Sequence, residues 1–191
     1  MRPAVFLDRD GTMVHDVGYL SRREDLRWFP WTIDAIRLLN RAGLAVCVTT
    51  NQGGIGLGLT TDAFVRAIHV EMGETIRLAG GLVDAWYYCP HHPRAVTDEL
   101  RIACACRKPG TGMIEQAIGD LDLDVARSFV IGDKMADVGL GQAAGATSVL
   151  VRTGHGEAVV RRHGDHVPGA ARVVPTLLEA VSWILNGSSG S

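Results

Sequence analysis

Short apolar runs rich in β-branched residues alternate along this chain with longer segments of helical period, and that alternation restricts the fold more than any single motif. The runs are Ala4–Leu7, Leu44–Val48, Leu82–Tyr88, Ser128–Ile131 and Ser148–Val151. Unbroken apolarity over so few residues is what a strand buried on both faces requires. Helical period occupies Thr32–Arg41, Thr61–Leu78, Met113–Leu121, Met135–Ala144 and Thr176–Leu185. Thr60 and Thr61 supply an N-terminal cap for one of these, and Gly43 a stop after Arg41 in another. Strand following helix in this way predicts an α/β fold: a doubly wound, mainly parallel sheet with right-handed crossovers and helices on both faces.

The 191 residues suffice for one domain with a sizeable core, expected over 1–186. Gly187-Ser188-Ser189-Gly190-Ser191 is linker-like and cannot build a core. The net charge of −2 offers no electrostatic reason to bind nucleic acid or an anionic membrane. No apolar run approaches the length of a membrane span or a signal peptide. The protein is therefore expected to be soluble and cytoplasmic, and a monomer is expected.

In open α/β sheets, ligands bind beyond the carboxyl ends of the strands, and the residues at those ends are unusual here. The first run continues into Asp8-Arg9-Asp10-Gly11-Thr12. Asp8 and Asp10 stand at i and i+2, so on a continuing strand both carboxylates point the same way. Such a pair can divide nucleophile and general acid roles or share a metal; a turn at Asp-Gly is the alternative. The second run ends Thr49-Thr50-Asn51-Gln52, followed by Gly53-Gly54-Ile55-Gly56-Leu57-Gly58. A hydroxyl and backbone amides there can hold phosphate oxygens. The string is neither a Gly-Lys-Ser/Thr phosphate loop nor a dinucleotide fingerprint. Lys108, between Arg107 and Pro109, could neutralise a phosphoryl group. Phe129-Val130-Ile131-Gly132-Asp133-Lys134 is a further apolar run ending in an acid, with Asp137 beyond it. A hard cation could bridge Asp133 to Asp8, and helix capping is the other use for Asp133 or Asp137.

Cys89 to Gly112 is too long for an ordinary irregular connection. It holds Cys89-Pro90-His91-His92-Pro93 and Cys104-Ala105-Cys106. Three thiols and an imidazole from His91 or His92 suit tetrahedral zinc in a closed, structural site. A disulfide between Cys104 and Cys106 would close a strained small ring. Cys47 lies apart, inside an apolar run.

Taken together, the four strand-end motifs resemble the haloacid dehalogenase-like phosphohydrolase superfamily over the whole folded chain, in the family's order. The resemblance implies a Rossmann-like, haloacid dehalogenase-like sheet and a magnesium-dependent phosphatase. It makes Asp8 the nucleophile that becomes an aspartyl-phosphate and Asp10 the acid and base. Thr50 and Lys108 match the phosphate-holding positions, and Asp8, Asp133 and the carbonyl of Asp10 match the Mg2+ ligands. The cysteine loop narrows the resemblance to the branch of heptose bisphosphate phosphatases and histidinol-phosphate phosphatases, where it stands in for a separate cap domain. That pattern assigns Zn2+ to Cys89, His91, Cys104 and Cys106. The local string from Asp16 through Gly18 and Tyr19, together with Gly132-Asp133-Lys134, favours the heptose side of the branch, whose substrates are sugar phosphates. Arg9, Asp16, Gly18, Tyr19, Asn51, Gln52, Gly53, Arg107 and Lys134 are then expected around phosphate or sugar. One departure is Leu57, where the family's Ser-Gly-Ile-Ala-Arg-Gly string carries arginine.

Trp28, Phe29 and Trp31 are assigned to core packing. His15, His69, His155, His163 and His166 have no ligand-like spacing and are read as solvated or satisfied locally. Arg152, Arg161 and Arg162 could meet an anionic substrate from the carboxy-terminal segment, but are read as solvated surface.

Overall fold

The computed structural model describes residues 1–164 and 166–187; the greater part of the expected carboxy-terminal tail, 188–191, lies outside the described residues. Among these, one six-stranded parallel sheet organises the chain. Its strands are β1 (Ala4–Leu7), β2 (Ala45–Asn51), β3 (Ala85–Cys89), β4 (Phe129–Gly132), β5 (Thr147–Val151) and β6 (Arg172–Val174), in the order β3-β2-β1-β4-β5-β6. The helices are α1 (Thr32–Arg41), α2 (Gly53–Gly56), α3 (Asp62–Leu78), α4 (Gly112–Leu121), α5 (Met135–Ala144), α6 (Gly156–His163) and α7 (Leu177–Leu185). All four residues of β1 are fully buried, because side chains alternate between two covered faces. Val5 and Leu7 pack with Val46, Val48 and Ile131 against α1, α3 and α7; Phe6 packs with Cys47 and Val130 against α4 and α5.

Helix punctuation follows the local chemistry. Thr61 Oγ1 accepts from the Phe64 N–H at 3.1 Å and starts α3, a cap whose loss costs about 1 kcal/mol. Gly145, left-handed at φ 79°, ends α5.

Several expectations shift. β2 runs three residues past its apolar run, because Thr49, Thr50 and Asn51 pair through backbone with Tyr87, Tyr88 and Cys89 of β3. β3 starts at Ala85 rather than Leu82, since Leu82 is exposed and Asp84 turns its carboxylate onto the Val46 N–H. Three elements escaped the pattern: the single turn α2, the charged helix α6 and the three-residue edge strand β6. Each is too short or too polar to generate a period.

This order has its switch at β1: the chain builds outward to β3, then crosses back to place β4 on β1's other side. A crevice opens beyond the carboxyl ends of the strands at such a point.

Candidate active site and thiol cluster

Asp8 and Asp133 leave adjacent strands at that switch, with the Asp8 N–H bonded to Ile131 O at 2.9 Å. Asp8 lines a cleft of about 440 Å³ together with Asp10, Asp16, Gly18, Tyr19, Thr50, Asn51, Arg107, Lys108, Lys134, Asp137 and His155, and the buried Asp133 lies beneath it, 3.3 Å from the Lys134 ammonium. Eleven residues expected from the sequence thus converge on one crevice or its floor.

Lys108 is the best-anchored cation there. Only 5% exposed, its ammonium meets Asp8 Oδ1 at 2.9 Å and Asp137 Oδ1 at 2.6 Å, and donates to Thr49 O at 2.8 Å. Its backbone is clamped by Asn51, whose Oδ1 accepts from the Lys108 N–H and whose Nδ2 donates to its carbonyl. Burial disfavours the Asp8 anion, but Lys108 and Lys134 outweigh it and hold the carboxyl below its ordinary range. The same ion pairs keep Lys108 above the usual lysine value despite its burial. Asp137 caps α5 and braces Lys108: Oδ2 accepts from the Lys134 N–H at 3.0 Å while Oδ1 pairs with Lys108.

Lys134 was expected near substrate; its ammonium sits among acidic oxygens. Nζ lies 3.8 Å from Asp8 Oδ2, 3.3 Å from Asp133 Oδ1, 3.4 Å from the Asp10 carbonyl and 3.1 Å from Asp16 Oδ2. Three of those four are the oxygens the resemblance assigns to magnesium. Asp133 is 0% exposed, Oδ2 accepts from the His155 N–H at 2.7 Å, and Oδ1 has no hydrogen-bond partner. Burial first, then the Asp8 charge, pushes its carboxyl up to about 7. An oxygen-only set converging on a positive charge, one of its buried oxygens held by an ion pair and by no hydrogen bond, fits a hard divalent cation. Gly11, at φ 89°, makes the approach possible: a Cβ there would fall 2.2 Å from Asp133 Oδ2.

Arg9 and Gln52 require a correction. Arg9 is 1% exposed and turned from the cleft; Nε and Nη2 donate to both Asp10 oxygens at 2.9–3.1 Å. Gln52 donates to Asp10 Oδ2 at 2.9 Å and to Thr50 Oγ1 at 3.0 Å. Both residues hold the catalytic candidates from behind, because their polar atoms are spent within the wall. Gly53 also does not line the cleft; it leaves room for Arg107, whose Nη1 would lie 3.3 Å from a Cβ there and which donates to His91 O at 2.8 Å. Gly18, φ 83°, closes a turn on Asp16 Oδ1, and Tyr19 stands 47% exposed at the rim.

Sequence reasoning missed the loop after β5. His155 Nε2 meets Asp16 Oδ2 at 3.1 Å, and Thr153 Oγ1 donates to Gly11 O at 2.6 Å. The signal was the Arg152-Thr153-Gly154-His155 strand end itself, a further strand end carrying polar residues.

The cysteine loop folds to a four-point cluster. Cys89 Sγ lies 3.6 Å from Cys104 Sγ and from His91 Nδ1; Cys106 Sγ lies 3.4 Å from Cys104 Sγ and 3.3 Å from His91 Nδ1. Tetrahedral zinc with bonds near 2.3 Å to sulfur separates its ligands by about 3.7 Å, so the donor set and spacing fit. All four thiols of the chain are free of disulfides. Of the two adjacent imidazoles, His91 joins the cluster, whereas His92 Nδ1 accepts from the Arg94 N–H.

Relatives carry the same architecture. Residues 105–180 match the HAD hydrolase-like family model. The chain is 39% identical to the D-glycero-D-manno-heptose-1,7-bisphosphate 7-phosphatase of Thermosynechococcus vestitus, over 96% of this chain and 95% of that protein. It is 37% identical to the D-glycero-beta-D-manno-heptose-1,7-bisphosphate 7-phosphatase of Escherichia coli K12, over 96% and 88%. A crystal structure of the D,D-heptose 1,7-bisphosphate phosphatase from B. bronchiseptica, complexed with magnesium and phosphate, superposes with a TM-score of 0.85 at 33% identity, covering 97% of this chain and 99% of that one. With its parallel sheet, its strand-end carboxylates and these relatives in agreement, the chain belongs to the heptose bisphosphate phosphatase family of HAD-like phosphohydrolases.

Proposed function

We propose that this phosphatase removes the 7-phosphate of D-glycero-D-manno-heptose 1,7-bisphosphate through an aspartyl-phosphate on Asp8. The observation that carries the reading is the buried Asp8–Lys108–Asp137 constellation opening onto a cleft that Arg107 and Tyr19 also line.

Asp8 is fixed as an anion: Oδ1 is held by Lys108 and by the Arg9 N–H at 2.8 Å, while Oδ2 lies 3.8 Å from the Lys134 ammonium. Attack by its carboxylate on phosphorus forms the acyl-phosphate bond as the ester P–O bond breaks, and Asp10 protonates the departing alkoxide. Asp10, now a carboxylate, takes a proton from water, which attacks the aspartyl-phosphate, releases inorganic phosphate and restores Asp8. Lys108 and Thr50 meet the equatorial oxygens and stabilise charge there. Asp8, Asp133 and the Asp10 carbonyl would hold Mg2+. When bound, the cation supplies the charge that offsets repulsion between a carboxylate and a phosphate dianion. Arg107 and Tyr19 would bind the sugar or its distal phosphate. Cys89, His91, Cys104 and Cys106 would hold structural Zn2+, stapling the loop that brings Arg107 to the cleft.

No helix among the described residues is long and apolar enough to cross a membrane. Free thiols arranged for metal suit a reducing compartment, and we place the enzyme in the cytoplasm, as a monomer.

The test is phosphate release from both anomers of heptose 1,7-bisphosphate, histidinol phosphate and 4-nitrophenyl phosphate, with magnesium and after chelation. A preference of two or more orders of magnitude in kcat/KM for one heptose anomer, abolished by chelation and restored by magnesium, is expected. Preference for histidinol phosphate, or uniformly weak turnover, overturns the substrate; turnover unaffected by chelation overturns the metal.

A further inference from the structure

His69 is a buried imidazole in the middle of α3 that the chemistry above does not use. It is 5% exposed, and its Nε2 lies 3.1 Å from Arg9 Nη1. A guanidinium only donates hydrogen bonds, so Nε2 must carry its lone pair and the ring proton must sit on Nδ1. Burial, then the Arg9 charge, lowers the His69 pKa to about 3, which keeps the ring neutral at working pH.

The Arg9 fork is fully committed on its other edges. Nε and Nη2 grip Asp10, and Nη2 also donates to Gln52 Oε1 at 3.0 Å. The remaining nitrogen, Nη1, is steered by His69. His69 is itself held: its ring stacks on Trp86 at 4.9 Å and meets the edge of Tyr88 at 5.6 Å. The Tyr88 hydroxyl is anchored on Asp62, at the first turn of the same helix. A core position on this helix calls for an apolar side chain; a buried imidazole costs free energy unless its polar atoms are used.

We propose that His69 is a positioning residue for proton transfer, fixing the Arg9 guanidinium so that Arg9 holds the Asp10 carboxyl in line with the leaving-group oxygen. This rests on the reading of Asp10 as the general acid. Displacement of Asp10 by even a fraction of an ångström lengthens the proton's path to the alkoxide, and misplacement on the ångström scale costs up to about 10²-fold.

The experiment exploits the leaving group. A primary alkoxide needs a proton as it departs, whereas 4-nitrophenolate leaves without one, so a fault in the acid shows only with the alkyl ester. His69→Phe keeps a ring on Trp86 and removes the acceptor; His69→Gln restores an acceptor; Asp10→Asn is the reference. For each, kcat/KM is measured on the best alkyl phosphomonoester of the panel above and on 4-nitrophenyl phosphate, with Tm recorded alongside. His69→Phe is expected to lose about tenfold or more on the alkyl ester and less than about twofold on the aryl ester, with His69→Gln recovering most of the loss. Equal losses on both esters, or no loss on either, overturn the proposal, since a merely structural role does not distinguish leaving groups. If Asp10→Asn itself shows no leaving-group dependence, the assignment of Asp10 fails instead. Should His69→Phe not fold, His69→Leu provides the acceptor-less variant for the same comparison.

Discussion

Replacing Lys108 by methionine keeps the apolar stem and removes one buried charge. In the native protein the three ammonium donors meet three oxygens, on Asp8, Asp137 and Thr49, in a side chain only 3% exposed. Breaking a buried ion pair by removing one partner costs about 3–5 kcal/mol, because the other charge stays behind without compensation. In a domain of this size each kcal/mol is worth roughly 2–4 °C, so Lys108→Met should melt roughly 6–20 °C lower. Activity should fall about 10²–10³-fold, the usual consequence of deleting one preorganised group that meets transition-state charge. Adding Asp137→Asn separates the two effects. The asparagine Oδ1 can still accept from the Lys134 N–H, which Asp137 now caps, and one stranded carboxylate disappears. The double variant Lys108→Met/Asp137→Asn should regain a substantial part of the lost Tm and none of the lost turnover. Thermal unfolding followed by circular dichroism and phosphate release on the same preparations give both numbers. Turnover that recovers in step with Tm would refute the reasoning, by showing that Lys108 acts only through the fold.

Asp8→Asn preserves size and should abolish turnover by more than about 10⁴-fold while Lys108 remains paired with Asp137; residual hydrolysis by the purified variant would argue against a covalent route. Cys104→Ala should eliminate bound zinc, measured by elemental analysis, and lower Tm; zinc retained with unchanged melting would contradict a structural site. His69 makes stability depend on pH in a definite direction. Its folded pKa of about 3 lies below the ordinary 6.5, so as pH falls below 6.5 the unfolded chain takes up a proton that the native state refuses. Its contribution is complete above 6.5 and declines by up to about 1.4 kcal/mol per pH unit below it. Urea unfolding of His69→Gln between pH 7 and 5 should therefore show a shallower slope than wild type, and parallel slopes would disprove the assignment.

Much of the site was legible because its chemistry is written at strand ends, where sequence order and spatial order coincide. Asp8, Thr50, Lys108 and Asp133 each follow a buried run or close a loop, and a parallel sheet brings such ends to one edge. The thiol cluster was legible for a related reason: Cys89, Cys104 and Cys106 are close in sequence, and four donors within a short loop can meet only around one point.

Direction was not legible. Arg9 and Gln52 stand inside the motifs and read as substrate contacts, yet each is turned into the wall, because a guanidinium beside a carboxylate saves more by pairing with it than by facing solvent. His69 gave no signal and His155 only that of its strand end, since their partners are 60 and 139 residues away: Arg9 to one, Asp16 to the other. Composition and period alone determined the layered α/β sheet, the strand-end acids and the cysteine loop, because burial and local spacing are properties of neighbouring residues. Which side of each motif faces the cleft, which histidine joins the thiols, and which buried groups support Asp10 were decided by tertiary structure, because those choices depend on hydrogen-bond partners that only folding brings within 3 Å.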